Sequence, residues 1–71
     1  MKPGDLRRFH TDAFPTNDKH LNGSVFMIFS VRPGVAHPDQ SYATILVDGT
    51  LDDHWHSRTL EDMSEVINET G

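Results

Sequence analysis

His54-Trp55-His56 is the tripeptide whose residue types could do chemistry in this chain. In an extended strand alternate side chains share a face, so His54 and His56 point the same way and Asp52 falls into line beside them. Two imidazoles and a carboxylate are ligands that a divalent transition metal such as zinc accepts. Residues two apart on one strand lie roughly 6–7 Å from each other, however, and zinc needs ligands converging from more than one segment. His10, His20 and His37 sit in separate segments, and no second histidine pair completes the set. The competing reading is a polar strand face with two solvated imidazoles. His54 and His56 therefore stand as metal candidates alone, and no cofactor is expected.

Asp52-Asp53 imitates a catalytic carboxylate pair, but adjacent strand residues face opposite ways and cannot flank one substrate bond. No serine sits in a nucleophile-elbow motif, and there is no glycine-rich phosphate loop or zincin signature. A short chain also offers little wall for a water-excluded pocket. The sequence specifies no reaction, and a non-enzyme is expected. Trp55, the one tryptophan, suits packing on a small sheet or a contact at a protein interface. Arg7 and Arg8 face opposite ways on an extended strand, so one is placed to pair with a carboxylate of the acidic C-terminal strands.

The elements that position these residues follow from two apolar runs. Residues 24–32 carry Val25, Met27, Phe29 and Val31 on one face and Phe26 and Ile28 on the other, so both faces of this strand need a cover. Residues 41–47 place Ala43, Ile45 and Val47 on one face and Tyr42, Thr44 and Leu46 on the other. Asp48-Gly49 predicts a type I′ turn, with residues 50–56 returning antiparallel. Before them, Pro3-Gly4-Asp5 is a turn signal and residues 6–10 run as a first strand. Residues 11–23 form a long polar loop whose Phe14 and Leu21 fold back over one end of the core. Asn22-Gly23 makes the tight turn into the next strand, since Asn-Gly readily takes positive φ. Pro33-Gly34 ends that strand, and residues 35–40 form a second loop. Residues 57–62 suit one helical turn with Ser57 as N-cap and Leu60 inward, residues 64–68 close as a last strand, and residues 69–71 fray.

With 71 residues the chain makes one domain spanning 1–71. A domain this short is marginally stable and usually needs disulfides, a metal or a partner. There is no cysteine, which removes the disulfide route and fits a reducing compartment. The formal net charge is −5 with His neutral, and the six Lys and Arg residues are scattered. Backbone phosphates need clustered basic residues, so no nucleic-acid partner is expected. The N-terminus has no apolar stretch resembling a signal peptide, and the run 25–29 is far too short to span a bilayer, so no membrane association is expected. The sequons Asn22-Gly23-Ser24 and Asn68-Glu69-Thr70 are read as coincidences of composition.

Five short strands with a helical turn before the last describe an all-β fold, a small five-stranded SH3-like barrel. Several segments together resemble a known group. Lys2-Pro3-Gly4-Asp5-Leu6 resembles the opening of short SH3-like chains. The run 25–31 and Thr44-Ile45-Leu46-Val47-Asp48-Gly49 resemble their middle strands, and Trp55-His56, Leu60-Glu61 and Glu65-Val66-Ile67-Asn68-Glu69 their closing segment. The whole resembles small SH3-like barrel proteins of tailed bacteriophages, marine ones especially, that are associated with the virion. The chain departs from that pattern at Arg7, where an aliphatic residue is usual, and in the length of the loop 11–23.

The resemblance implies a non-enzymatic structural protein of a phage particle, made in the host cytoplasm and located in the virion, as a capsid decoration (cement) or head–tail accessory protein. Its implied partner is the major capsid protein or another virion protein, with the chain oligomeric or lattice-bound. The candidate contact surface combines the outer face of the 24–32 strand with the two loops, through Phe14, Phe26, Ile28, Val35, Tyr42 and Trp55. The alternative is a cytoplasmic SH3-like adaptor that binds a protein or peptide through Tyr42 and Trp55.

Overall fold

Short apolar runs bounded by turn residues become five antiparallel strands in the computed structural model, which describes residues 1–36 and 39–68. The strands are β1 (Leu6–Phe9), β2 (Val25–Pro33), β3 (Ser41–Val47), β4 (Thr50–His56) and β5 (Ser64–Asn68), with a helix α1 (Ser57–Met63) before the last. They form one sheet in the order β4-β3-β2-β1-β5, as expected for the SH3-like barrel. Among the described residues no helix is long and apolar enough to cross a membrane. The expected fraying at 69–71 lies outside the described residues, as do His37 and Pro38 of the second loop.

The sheet curls until non-neighbouring strands touch. Phe9 on β1 and Trp55 on β4 are three strand positions apart, which would separate them by about 14 Å in a flat sheet. Their ring centroids are 5.7 Å apart. Phe9 also meets Phe26 at 4.4 Å and Phe14 at 5.1 Å. Around this aromatic group lie the buried Leu21, Ile28, Ala43, Ile45, Val47 and Leu60, with Val31 and Met63 packed against them.

Two bulges bend the sheet at one level. Between the pairs Ile28↔Ile45 and Ser30↔Thr44, β2 carries Phe29 as an extra residue. Between Ile45↔Asp52 and Ala43↔Trp55, β4 advances three residues while β3 advances two. Both flank Thr44, so β3 runs regularly while its two neighbours kink beside it. Bulges increase local twist, which rolls a flat ribbon into a barrel. The β4 bulge holds His54 at φ 67, the left-handed region that His tolerates better than branched residues do.

Turn chemistry sets the connections. Asp48 and Gly49 take φ 52 and 74, the two positive values of a type I′ hairpin turn. At Asn22-Gly23 the tight turn is present, but Asn22 has φ −59 and ψ 126 while Gly23 alone is positive at 76. This is type II geometry, closed by Ser24 N–H donating to the Leu21 carbonyl at 3.0 Å. With its backbone extended, Asn22 uses its side chain. Its amide accepts from Phe14 N–H at 2.8 Å and donates to the Phe14 carbonyl at 3.0 Å. That double bond pair pins Phe14 over the core end, and a short 3₁₀ helix (Lys19–Leu21) delivers Leu21 beside it.

The C-terminal segment corrects two expectations. Ser57 is the first helical residue, not the N-cap; β4 stays paired through His56↔Tyr42, so the chain leaves the strand one residue late. The buried Ser57 hydroxyl instead accepts from Ser41 Oγ at 2.7 Å. Among the described residues Arg7 pairs with no carboxylate. It donates to Ser64 Oγ at 2.8 Å, the Ser64 carbonyl at 3.1 Å and the Glu61 carbonyl at 3.5 Å. Ser64 Oγ donates in turn to the Leu60 carbonyl, and His10 N–H to that of Met63 at 2.9 Å. The last carbonyls of α1, which no helix satisfies internally, are thus met from β1 and β5. A basic residue at position 7 is explained by this role.

Phe9→Ala is expected to cost about 3–5 kcal/mol against a total of roughly 4–10 kcal/mol for 71 residues, leaving the chain largely unfolded by circular dichroism at 37 °C. Asn22→Ala removes two hydrogen bonds to one backbone unit and is expected to cost about 1–3 kcal/mol in urea titration.

Candidate functional site

The outer face of the sheet carries the arrangement that the core does not need. Cross-strand partners in an antiparallel sheet lie on the same face. Phe26↔Val47, Ile28↔Ile45, Val31↔Ala43 and Ala43↔Trp55 define the inner one. On the opposite face the register runs Leu51↔Leu46, Leu46↔Met27 and Met27↔Leu6. Four apolar side chains therefore form one continuous row across β4, β3, β2 and β1. Leu51 is 52% exposed, and along β2 the row is flanked by Val25 at 42% and Phe29 at 53%.

One end of this face is polar and tightly organised. Asp53 Oδ1 accepts from Thr44 Oγ1 at 2.7 Å, from His54 N–H at 2.8 Å and from Arg32 Nη2 at 3.0 Å. His54 Nδ1 lies 3.4 Å from the same Arg32 nitrogen and its Nε2 3.7 Å from Asp53 Oδ2. Beyond them the rings of Tyr42 and His56 meet at 4.7 Å. The Thr44 hydroxyl, the His54 amide and the Arg32 guanidinium, in that order, hold the Asp53 carboxyl down at about 2, from an ordinary 3.8. These are fixed donors aimed at the ionised form, so the cluster is a clamp on the bulge.

The β4 bulge takes apart the expected metal set. Because β4 gains a residue at Asp53–His54, Asp52 pairs with Ile45 on the inner side while His56 pairs with Tyr42 on the outer. Strict alternation would have kept Asp52, His54 and His56 together. Among the described residues no three His, Cys, Asp or Glu side chains gather at metal-holding distance.

The remaining candidates are also redistributed. Phe26 and Ile28 are fully buried and belong to the core, not to a contact surface. The outward residues of β2 are Val25, Met27 and Phe29, because the strand sits with its other edge of the pattern inward. Phe14 and Trp55 are half-buried against Phe9, with centroids 6.1 Å from each other, and serve packing. Tyr42 is on the outer face. Val35 is fully exposed in the second loop, away from the row. Leu6, Met27, Leu46 and Leu51 were not singled out by sequence reasoning; only the strand pairing reveals that they align.

Open hollows also mark the surface formed by the described residues. One of about 750 Å³ is lined by Gln40, Ser41, His56, Arg58 and Glu61 among others. Another, about 310 Å³, has Leu21, Val47, Leu51 and Trp55 in its wall. No family model, curated protein or solved structure matches the chain.

The Asp53 clamp has a pH signature. The folded-state pKa lies below that of the unfolded chain, so the stabilisation is fully present above pH 3.8 and is lost as pH falls through about 2. Thermal melts of the native chain and Asp53→Asn should differ by a constant amount above that window and converge within it. A difference that stays undiminished at pH 2 would assign the effect to packing instead of charge.

Proposed function

We propose that the chain is a non-enzymatic docking protein that acts by packing the outer face of its sheet against protein. The observation that carries this reading is the apolar row Leu51–Leu46–Met27–Leu6. A contiguous apolar patch on a small globule marks an interaction surface, whereas scattered exposed hydrophobics do not. Docking also addresses the marginal stability of a short chain without cysteine, since anything that binds only the folded state favours it.

The setting is a bacteriophage particle, as a capsid decoration or head–tail accessory protein bound to the major capsid protein or another virion protein. This rests on the resemblance of the strand and closing motifs to small phage barrels. The acidic balance of −5 suits an external position, where packaged nucleic acid repels a negative chain. An adaptor groove built on Tyr42 and Trp55 has less support, because the pairs Tyr42↔His56 and Ala43↔Trp55 put the two rings on opposite faces.

Quantitative mass spectrometry of purified particles tests the setting. A copy number matching the major capsid protein indicates decoration, a small fixed number indicates a neck or tail ring, and absence from particles overturns the virion reading. Leu51→Glu, at an exposed site, should leave the fold intact by circular dichroism and abolish incorporation.

A further inference from the structure

We infer that Asn22-Gly23 is a latent site of spontaneous deamidation, held silent by the fold and released when the loop 11–23 lets go of β1. The chain has three asparagines, Asn17, Asn22 and Asn68, and Asn22 alone precedes a glycine. That pairing is the most reactive one, because glycine has no Cβ to shield its backbone nitrogen. The Gly23 nitrogen loses its proton to a base in solvent and attacks Asn22 Cγ, closing a succinimide ring. The Cγ–Nδ2 bond breaks, and Nδ2 leaves as ammonia after taking a proton from water. A second water then opens the ring. Cleavage at Cγ leaves aspartate at position 22, and cleavage at the main-chain carbonyl leaves isoaspartate. Water is the only co-reactant, and nothing is oxidised or reduced.

Several features of the folded chain oppose ring closure. The Asn22 amide is held by both of its polar atoms, Oδ1 by Phe14 N–H at 2.8 Å and Nδ2 by the Phe14 carbonyl at 3.0 Å. Turning Cγ toward its own backbone breaks both bonds. The attacking nitrogen is engaged as well. Gly23 N–H donates to the Phe9 carbonyl at 3.1 Å, and Phe9 N–H donates in return to the Ser24 carbonyl at 3.0 Å. At ψ 126 the Gly23 nitrogen is also turned away from the Asn22 side chain about the Cα–C bond, whereas the ring needs the two eclipsed. Asn22 and Gly23 are half-buried and most of residues 11–20 is exposed, so water and base reach the pair once the loop is released. Surface loops with few buried contacts open at less cost than core strands.

The product does not restore the fold. A carboxylate at position 22 still accepts from Phe14 N–H, but it has no hydrogen to give the Phe14 carbonyl and sets an acceptor against an acceptor. Isoaspartate routes the main chain through the side-chain carbon and lengthens it just before the pair Arg8↔Val25. Each opening that reacts is therefore irreversible, and Phe14 loses the fastening that keeps it over the core end.

Incubation of the native chain in mildly alkaline buffer at 37 °C, with and without denaturing guanidinium chloride, reads the outcome by peptide-mapping mass spectrometry. In denaturant Asn22 should convert before Asn17 and Asn68. In the folded chain its conversion should be slower by roughly tenfold or more, because reaction passes only through the open fraction. Phe14→Ala keeps the backbone groups that hold Asn22 but removes the ring packed against Phe9 and Trp55. While still folded by circular dichroism, it should convert several-fold faster than the native chain. Asn22→Asp supplies one product directly and should melt at a lower temperature than the native chain at neutral pH. Equal rates in folded and unfolded protein, earlier conversion at Asn17 or Asn68, a folded Phe14→Ala no faster than the native chain, or an Asn22→Asp chain as stable as the native one overturns the proposal. If Phe14→Ala does not fold, the native chain with and without denaturant decides alone.

Discussion

Curling the sheet until β1 meets β4 is the constraint on which the rest of this structure depends. In this chain of 71 residues a single five-stranded sheet and one seven-residue helix are the main elements, so the one sheet supplies both walls of the core. The contact of Phe9 with Trp55 at 5.7 Å is the point of closure, and Leu60 from α1 and Leu21 from the long loop plug the ends. Hydrophobic burial is non-directional, and by itself it would not decide where the ribbon bends. The paired bulges beside Thr44 do so, by shortening β3 relative to both neighbours at one level. Thr44 then links them chemically, since its hydroxyl donates to Asp53 on one side and lies 3.5 Å from Arg32 on the other.

Much of the strand layout was legible because period-two patterning and turn residues are local signals. The bounds of β3 follow from its two-faced pattern, β4 follows as the antiparallel return from Asp48-Gly49, and that pair specifies its turn through the φ values those residues tolerate. Leu60 reads as inward because it is the one large apolar residue of its turn. The bulges were not legible. Nothing in Ser24-Val25-Phe26-Met27-Ile28-Phe29-Ser30-Val31 distinguishes a regular strand from one that gains a residue at Phe29, since the requirement arises from twist accumulated over the whole sheet. The same gap hid the dispersal of Asp52, His54 and His56. A hint did exist at Asp53-His54, where two residues that accept left-handed or turn geometry follow one another.

Side chains that serve distant backbone were equally hidden. Arg7 reaches carbonyls more than fifty residues away in sequence, and no local pattern announces a helix end there. Asn22 looked like a donor of positive φ, yet its value lies in an amide that matches both polar groups of Phe14. In both cases polar residues are fixed by unsatisfied backbone groups, a demand that only the folded chain creates.

The Phe29 bulge finally connects the interior to the outer face. With unbroken alternation from Phe26 and Ile28, the next inward positions would be Ser30 and Arg32, and Val31 would point out. The extra residue reverses that order, so Val31 pairs with Ala43 on the inner side and Arg32 with Tyr42 on the outer. Val31 is thereby added to the core, and Arg32 becomes free to reach Asp53 at 3.0 Å. Phe29 is left 53% exposed beside the Met27 row. Closing so small a barrel and displaying apolar surface are consequently not independent: the kink that keeps a guanidinium out of the core also sets an aromatic ring on the face proposed for docking.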